Sequence, residues 1–153
     1  MLIYIGADHR GFQLKESLKN YLKQSGYEVV DVGAETYNER DDYPDFAALA
    51  ARKVSLDPVN SRAILICGSG AGVDIVANKF SHVRSVLALN AQQVLASKND
   101  DDTNVLSFAA DHIEEEDAQR IVAGWLSAQF SGEERFLRRL RKIEDLEGRV
   151  QNK

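Results

Sequence analysis

The only cysteine of the chain, Cys67, stands between an apolar run and a glycine-rich loop. The run 63–66 is typical of a buried strand, and the loop that follows is Gly68-Ser69-Gly70-Ala71-Gly72. Glycines let a backbone turn sharply and bring its N–H groups close to an anion. Those N–H groups and the positive end of the following helix would stabilise a thiolate, or an oxyanion beside it. The pattern predicts a reactive thiol; the alternative is a small buried apolar side chain.

Three other segments carry polar side chains that could serve the same chemistry. They are residues 6–11 with Asp8 and His9, residues 41–44 with Tyr43, and residues 99–104 with Asp100 and Asp101. Each segment also has a structural interpretation. An aspartate before a helix is a common N-cap, acidic runs favour turns, and a loop histidine can simply be solvated.

Short apolar runs alternate with amphipathic ones, so strands and helices must position these segments. The predicted strands are 2–5, 29–32, 63–67, 85–89 and 105–108. The predicted helices are 12–25, 43–54, 73–80, 91–98, 115–130 and 133–147. We predict a three-layer Rossmann-like α/β fold, with a five-stranded parallel sheet and helices on both faces. Ligands of such folds bind beyond the carboxyl ends of the strands, where the four segments are expected to meet. Because segment 99–104 precedes its strand, it would have to reach the site from elsewhere.

Composition limits the class of protein. The chain has 153 residues, of which 44% are apolar and 28% charged, and this predicts one folded domain, 1–147, with a frayed polar tail, 148–153. A net charge of −5 argues against a nucleic-acid partner. A single cysteine excludes an internal disulfide framework and indicates a reducing compartment. The apolar N-terminus is too short for a signal peptide, and no stretch approaches a membrane span. We therefore predict a cytoplasmic protein with no membrane partner.

The motifs resemble those of ribose-5-phosphate isomerase type B, whose family includes galactose-6-phosphate and allose-6-phosphate isomerases. The resemblance covers residues 1–146 and rests on Asp8-His9-Arg10-Gly11-Phe12, Asp42-Tyr43-Pro44, the Cys67 loop and Ala77-Asn78-Lys79, in that order. It implies an aldose–ketose isomerase that acts on a phosphorylated sugar. The implied chemistry moves a proton between C1 and C2 through an enediolate, without a metal or an organic cofactor.

The resemblance also implies roles at the reacting carbons. Cys67 matches the base that transfers the proton, and a thiolate can do this if its pKa lies near neutrality. Asp8 matches the residue that handles a substrate hydroxyl, and Tyr43 one that lines the sugar pocket. Ser69 and the neighbouring loop match the part that holds the enediolate oxygens, with binding residues Gly68, Gly70, Ala71 and Gly72.

A phosphate site is implied at His9 and on the last helix. Arg135 and Arg139 are four positions apart, so their side chains lie on one helix face. Two guanidiniums on one phosphate would form strong charge-assisted hydrogen bonds, often across a dimer interface in this family. The alternative is a solvated basic face. The same helix carries an apolar stripe, which favours a homodimer or dimer of dimers with sites at the interface: Leu137, Leu140, Ile143 and Leu146.

Several positions depart from the family pattern. Asp100 replaces the histidine that opens the sugar ring, and Asp101 replaces a substrate-binding asparagine. A carboxyl group needs a raised pKa to donate a proton at neutral pH. Asp111 stands where the family has a further phosphate arginine, and Phe136 stands where it has a histidine. Chemistry at Cys67 survives these changes, whereas the choice between pentose and hexose phosphate stays open.

Two other functions remain open from the sequence. One is a non-catalytic protein that binds a phosphosugar or nucleotide, in which Cys67 is inert. The lost histidine and arginine favour it, but the retained Asp8, Cys67 and Ser69 do not. The other is a flavodoxin-like redox protein, although no aromatic pair for a flavin ring is evident.

Overall fold

The computed structural model describes residues 1–151, and the side chains of residues 1–148. Within this part, five strands alternate with helices in the predicted order. The strands are β1 (Leu2–Ala7), β2 (Glu28–Asp31), β3 (Ser61–Cys67), β4 (Ser85–Leu87) and β5 (Val105–Ala109). The α-helices are α1 (Phe12–Gln24), α2 (Tyr43–Leu56), α3 (Ala71–Ala77), α4 (Ala91–Asp101), α5 (Glu115–Ser127) and α6 (Glu134–Gln151). A short 3₁₀ helix after β5, Ala110–His112, was not predicted.

The strands form one sheet in the order β2-β1-β3-β5-β4, and every neighbouring pair is parallel. The predicted five-stranded parallel α/β fold is therefore confirmed. The chain passes from β1 to β2 at one edge and then returns across β1 to β3. The strand order reverses between β1 and β3, and in open α/β sheets the crevice beyond such a point binds ligands. Asp8 and the Cys67 loop both begin at this crevice.

The register of β3 decides which helical layer the thiol faces. Ile64 and Ile66 pack into the core under α1, α4 and α5. Ala63, Leu65 and Cys67 point the other way and pack with α2 and α3. Because side chains alternate along a strand, a slip of one residue would move the thiol to the opposite layer. Burial of the large aliphatic side chains, worth about 1.5–3 kcal/mol each, opposes such a slip.

The last helix, α6, packs mainly against α4 and leaves part of its apolar stripe uncovered. Ile143 is 39% exposed and Leu146 is 58% exposed. The helix continues to Gln151, beyond the predicted end at 147. Residues 152–153 of the predicted frayed tail lie outside the described residues, and the fraying stays a prediction. Across residues 1–151, no helix combines the length and the apolar character needed to cross a membrane.

Candidate active site

A cavity of about 480 Å³ opens at the carboxyl edge of the sheet, beside the ends of β1 and β3. Six predicted site residues line it: Asp8, Tyr43, Cys67, Gly68, Ser69 and Gly72. Three lining residues were not predicted: Arg10, Asp111 and His112. Cys67 is only 4% exposed, so its side chain borders the cavity while it is almost fully shielded from bulk water.

The glycine loop is shaped by two positions that have no space for a side chain. Gly70 adopts a left-handed conformation with φ of 71°, which favours glycine. A Cβ at Gly70 would also lie 2.5 Å from Cδ1 of Leu87. A Cβ at Gly72 would lie 2.6 Å from Cζ of Tyr43, so the tyrosine ring packs directly on the loop. The first N–H groups of α3 have no partner within their helix, which makes them available to ligand oxygens.

Asp8 both closes the turn after β1 and lines the cavity. Its Oδ1 accepts hydrogen bonds from the backbone N–H groups of Arg10, at 3.0 Å, and Gly11, at 3.1 Å. The residue is 5% exposed. The N-cap of α1 is Gly11, so Asp8 is not the helix cap that the sequence left open. These two bonds fix the carboxylate at the carboxyl end of β1.

His9 is not among the residues that line the cavity, and it pairs with an acidic residue that was not predicted as its partner. Its backbone N–H and its ring Nδ1 both lie 2.8 Å from Oδ1 of Asp41. The ring meets Tyr37 edge-on, with centroids 6.3 Å apart. The hydrogen bond to Asp41 outweighs desolvation and holds the pKa of His9 above its ordinary value, and the charge of Asp8 acts in the same direction. His9 is therefore a cation over a wider pH range than a free histidine.

Replacing Asp41 with asparagine should lower the pKa of His9, because the amide cannot stabilise the imidazolium as a carboxylate does. Since the pKa is raised in the folded state, the pair stabilises the fold fully below the unfolded pKa of about 6.5. That contribution is lost as the pH rises through the folded value. NMR titration of the His9 ring measures its pKa in the wild type and in Asp41→Asn, and the spectrum of His9→Gln assigns the His9 signal. An unchanged midpoint in Asp41→Asn would contradict the pairing.

The predicted acidic pair of α4 lies at the opposite edge of the sheet. Asp100 and Asp101 end α4, which leads into the amino end of β5, whereas Cys67 is at the carboxyl end of β3. In one copy of the chain the expected meeting of segment 99–104 with the Cys67 loop therefore does not occur. Asp101 instead borders a second cavity, of about 590 Å³, together with Ile143 and other residues of α6. Partial burial raises the pKa of Asp101, and the charge of Asp100 raises it further against the opposing effect of Arg139.

The two arginines of α6 share one aromatic ring. The guanidinium carbons of Arg135 and Arg139 lie 4.4 and 5.5 Å from the ring centroid of Phe136. Phe136 is only 3% exposed, so it is a fixed platform for both. Arg135 also forms an ion pair with Glu133 at 2.8 Å. Neither arginine lines the Cys67 cavity. Both reach the same ring, as expected for side chains four positions apart on a helix.

An ion pair that the sequence did not predict stands at the cavity mouth. Nη2 of Arg10 contacts Oδ2 of Asp111, across 101 positions of sequence. The backbone N–H of Asp111 donates to the carbonyl oxygen of Gly68 at 3.1 Å. The loops after β1, β3 and β5 are thus tied together. The only sequence signal was an opposite charge in two loops that follow strands.

The described residues contain no group of three His, Cys, Asp or Glu side chains arranged to hold a metal ion. The prediction of chemistry without a metal or cofactor stays a prediction. It rests on the family resemblance, and the thiol, hydroxyl and carboxyl groups that share the Cys67 cavity are of types that can transfer protons.

The parallel α/β sheet, with a cavity beyond its strand ends lined by a thiol, a hydroxyl and a carboxylate, defines the class of α/β proteins that bind a small ligand at this edge. Comparison with known proteins places the chain within that class. The profile of the family described as Ribose/Galactose Isomerase matches residues 3–143. The chain belongs to this family and is an aldose–ketose isomerase, as the motifs predicted.

Individual relatives agree with the family assignment along most of the chain. Ribose-5-phosphate isomerase B of Escherichia coli K12 is 41% identical over 130 residues, covering 85% of this chain and 86% of that protein. The enzyme of the same name from Mycobacterium tuberculosis H37Rv is 34% identical over 140 residues, covering 92% and 86%. The crystal structure of ribose-5-phosphate isomerase B from Mycoplasma genitalium with bound ribulose-5-phosphate has a TM-score of 0.93 and 36% identity, and covers 96% of both chains.

Proposed function

We propose that this protein interconverts ribose 5-phosphate and ribulose 5-phosphate, with Cys67 as the carbon base. The observation that carries the proposal is the position of Cys67, buried at the end of β3 and facing a cavity with Asp8 and Ser69. The thiolate takes the proton from C2 of the aldose, and the electron pair of that bond forms the enediolate. The thiol returns the proton to C1, while a proton passes from O2 to O1 by way of Asp8.

The enediolate oxygens need donors where negative charge develops. Ser69 supplies a hydroxyl, and the backbone N–H groups of residues 70–72 supply further donors at the start of α3. The packing of Tyr43 on Gly72 keeps this loop in one shape. A bound substrate would displace water from this loop, and hydrogen bonds shielded from water are stronger than in solution, so these donors would stabilise the intermediate more than water does.

We further propose that two copies of the chain form each site. The phosphate would be bound near His9 by Arg135 and Arg139 of a second copy, since these arginines do not line the cavity of their own copy. The uncovered apolar residues of α6 support an interface between copies. Asp100 and Asp101 would reach the sugar of the second copy by the same arrangement. The proposed assembly is a dimer or a dimer of dimers. We also propose that residues 1–147 form one domain, and that the protein is cytoplasmic and has no nucleic-acid partner.

Incubation of the purified protein with ribose 5-phosphate, followed by detection of ketose, tests the activity. A parallel panel of allose 6-phosphate and galactose 6-phosphate separates pentose from hexose specificity, and added chelator should leave the rate unchanged. Binding of sugar phosphates without ketose formation would favour the non-catalytic alternative. Flavin absorbance in the purified protein would favour the redox alternative.

Replacing Asp100 with asparagine should slow the turnover of ribose 5-phosphate by about tenfold, if this carboxyl opens the furanose ring as a general acid–base group. The effect is modest because rings also open unaided. A short aldose phosphate that cannot form a stable ring should be affected much less. Steady-state rates on the two substrates, in wild type and Asp100→Asn, make the comparison. Equal effects on both, or none on either, would mean that another group such as Asp8 opens the ring.

A further inference from the structure

Among the described residues that line the Cys67 cavity, a single side chain carries a permanent positive charge. The described lining includes two carboxylates, of Asp8 and Asp111, and Arg10 is the one guanidinium among the lining residues. A phosphate ester carries about 1.5 to 2 negative charges at neutral pH. Taking such a group out of water beside two carboxylates is costly unless a cation compensates. Within this chain, the group in position to do so is Arg10.

The guanidinium of Arg10 lies directly on the glycine loop. A Cβ at Gly68 would lie 2.5 Å from Nε and 2.7 Å from Cζ of Arg10. A side chain at position 68 would therefore displace the guanidinium. Because Gly68 adjoins Cys67, the positive charge of Arg10 stands one residue from the thiol.

Arg10 is held at both ends. Its backbone N–H donates to Asp8 at 3.0 Å, and its guanidinium is paired with Asp111. Asp111 is itself tied to the carbonyl of Gly68 through its backbone N–H. Arginine has five N–H donors, so a contact through one Nη2 leaves donors for a ligand. The Arg10 side chain is 57% exposed and that of Asp111 36%, which places the pair where a ligand enters.

We propose that Arg10 binds the phosphate group of the substrate together with Arg135 and Arg139 of the second copy, and that Asp111 is a positioning residue that holds the guanidinium over the glycine loop. The inference rests on the proposed function and adds to it a residue that the sequence motifs did not assign. It also accounts for Asp111, whose charge alone would repel a phosphate. Paired with Arg10, it orients a cation instead.

Isothermal titration calorimetry of the full-length protein with inorganic phosphate tests the inference without a need for turnover. Arg10→Met should bind phosphate about tenfold more weakly or worse, the loss expected for a charge-assisted hydrogen bond. The KM for ribose 5-phosphate should rise by a similar factor, with a smaller change in kcat, because Arg10 touches a non-reacting group. Arg120→Met is the matched control, since Arg120 forms an exposed ion pair with Asp117 outside this cavity.

Two further variants separate a lost charge from a damaged fold. Arg10→Lys keeps the charge but lacks the planar fork, so its phosphate affinity should fall between wild type and Arg10→Met. In Arg10→Met/Asp111→Arg, the loop after β5 supplies a guanidinium at the mouth of the Cys67 cavity in place of Arg10, and phosphate binding should recover. Circular dichroism establishes that each variant is folded.

The inference is overturned if folded Arg10→Met binds phosphate as tightly as wild type, if the double variant fails to recover affinity, or if wild type binds no phosphate. The proposed function fails separately, if wild type does not isomerise any sugar phosphate of the panel. If the wild type is inactive but binds phosphate with an affinity that depends on Arg10, the phosphate site is supported and the isomerase function is contradicted.

Discussion

Replacing Cys67 with alanine should lower isomerase turnover by about a hundredfold or more, the effect typical of a lost general base. The thiol is the group on the cavity wall that we propose to take the C2 proton, and alanine leaves nothing to accept it. The fold should persist, because the change removes one sulfur atom from a position packed with α2 and α3. Ketose formation from ribose 5-phosphate and thermal unfolding of the two proteins measure activity and stability separately.

Ile64→Val provides a matched control for this substitution. Ile64 is buried on the same strand but faces the opposite layer, so the change should cost about 0.5–1.5 kcal/mol of stability without loss of activity. Full activity in Cys67→Ala would remove the thiol from the mechanism. Loss of wild-type activity with chelator would show that the chemistry needs a metal.

Mixing two inactive variants should restore activity if each site uses residues of both copies. Arg135→Ala/Arg139→Ala should lower kcat/KM by about a hundredfold or more, since each charge-assisted bond contributes about 1.5–3 kcal/mol. When this variant is refolded together with Cys67→Ala, half of the dimers are mixed and one of their two sites is intact. Activity should then return to about a quarter of the wild-type level.

A second mixture controls for the exchange of copies. Cys67→Ala combined with Asp8→Asn should stay inactive, because both residues line the same cavity and every site in a mixed dimer lacks one of them. Sedimentation of the wild type should give a dimer or a tetramer. An active monomer, or no recovery in the first mixture, would place all site residues in one copy and contradict the shared site.

The sequence predicted the parts of the fold that depend on local periodicity. Alternating apolar runs located all five strands, and the glycine loop after Cys67 located the start of α3 to within two residues. The residues that directly follow β1 and β3 were placed together correctly, because parallel strands bring their carboxyl ends to one edge. That rule brought Asp8 and the Cys67 loop with Ser69 to one cavity, and the family resemblance added Tyr43, which lines the same cavity.

Contacts between distant segments were decided by the tertiary structure. In the strand order β2-β1-β3-β5-β4, the loops after β1 and β5 lie on either side of the loop after β3. Arg10 of the first loop can pair with Asp111 of the second because of this arrangement. The same topology puts Asp101 at the amino edge, away from Cys67. Local patterns contain no information about which edges pair, because sheet order follows from how whole layers bury their apolar faces. The thiol could therefore be found from the sequence, whereas the ion pair at its mouth could not.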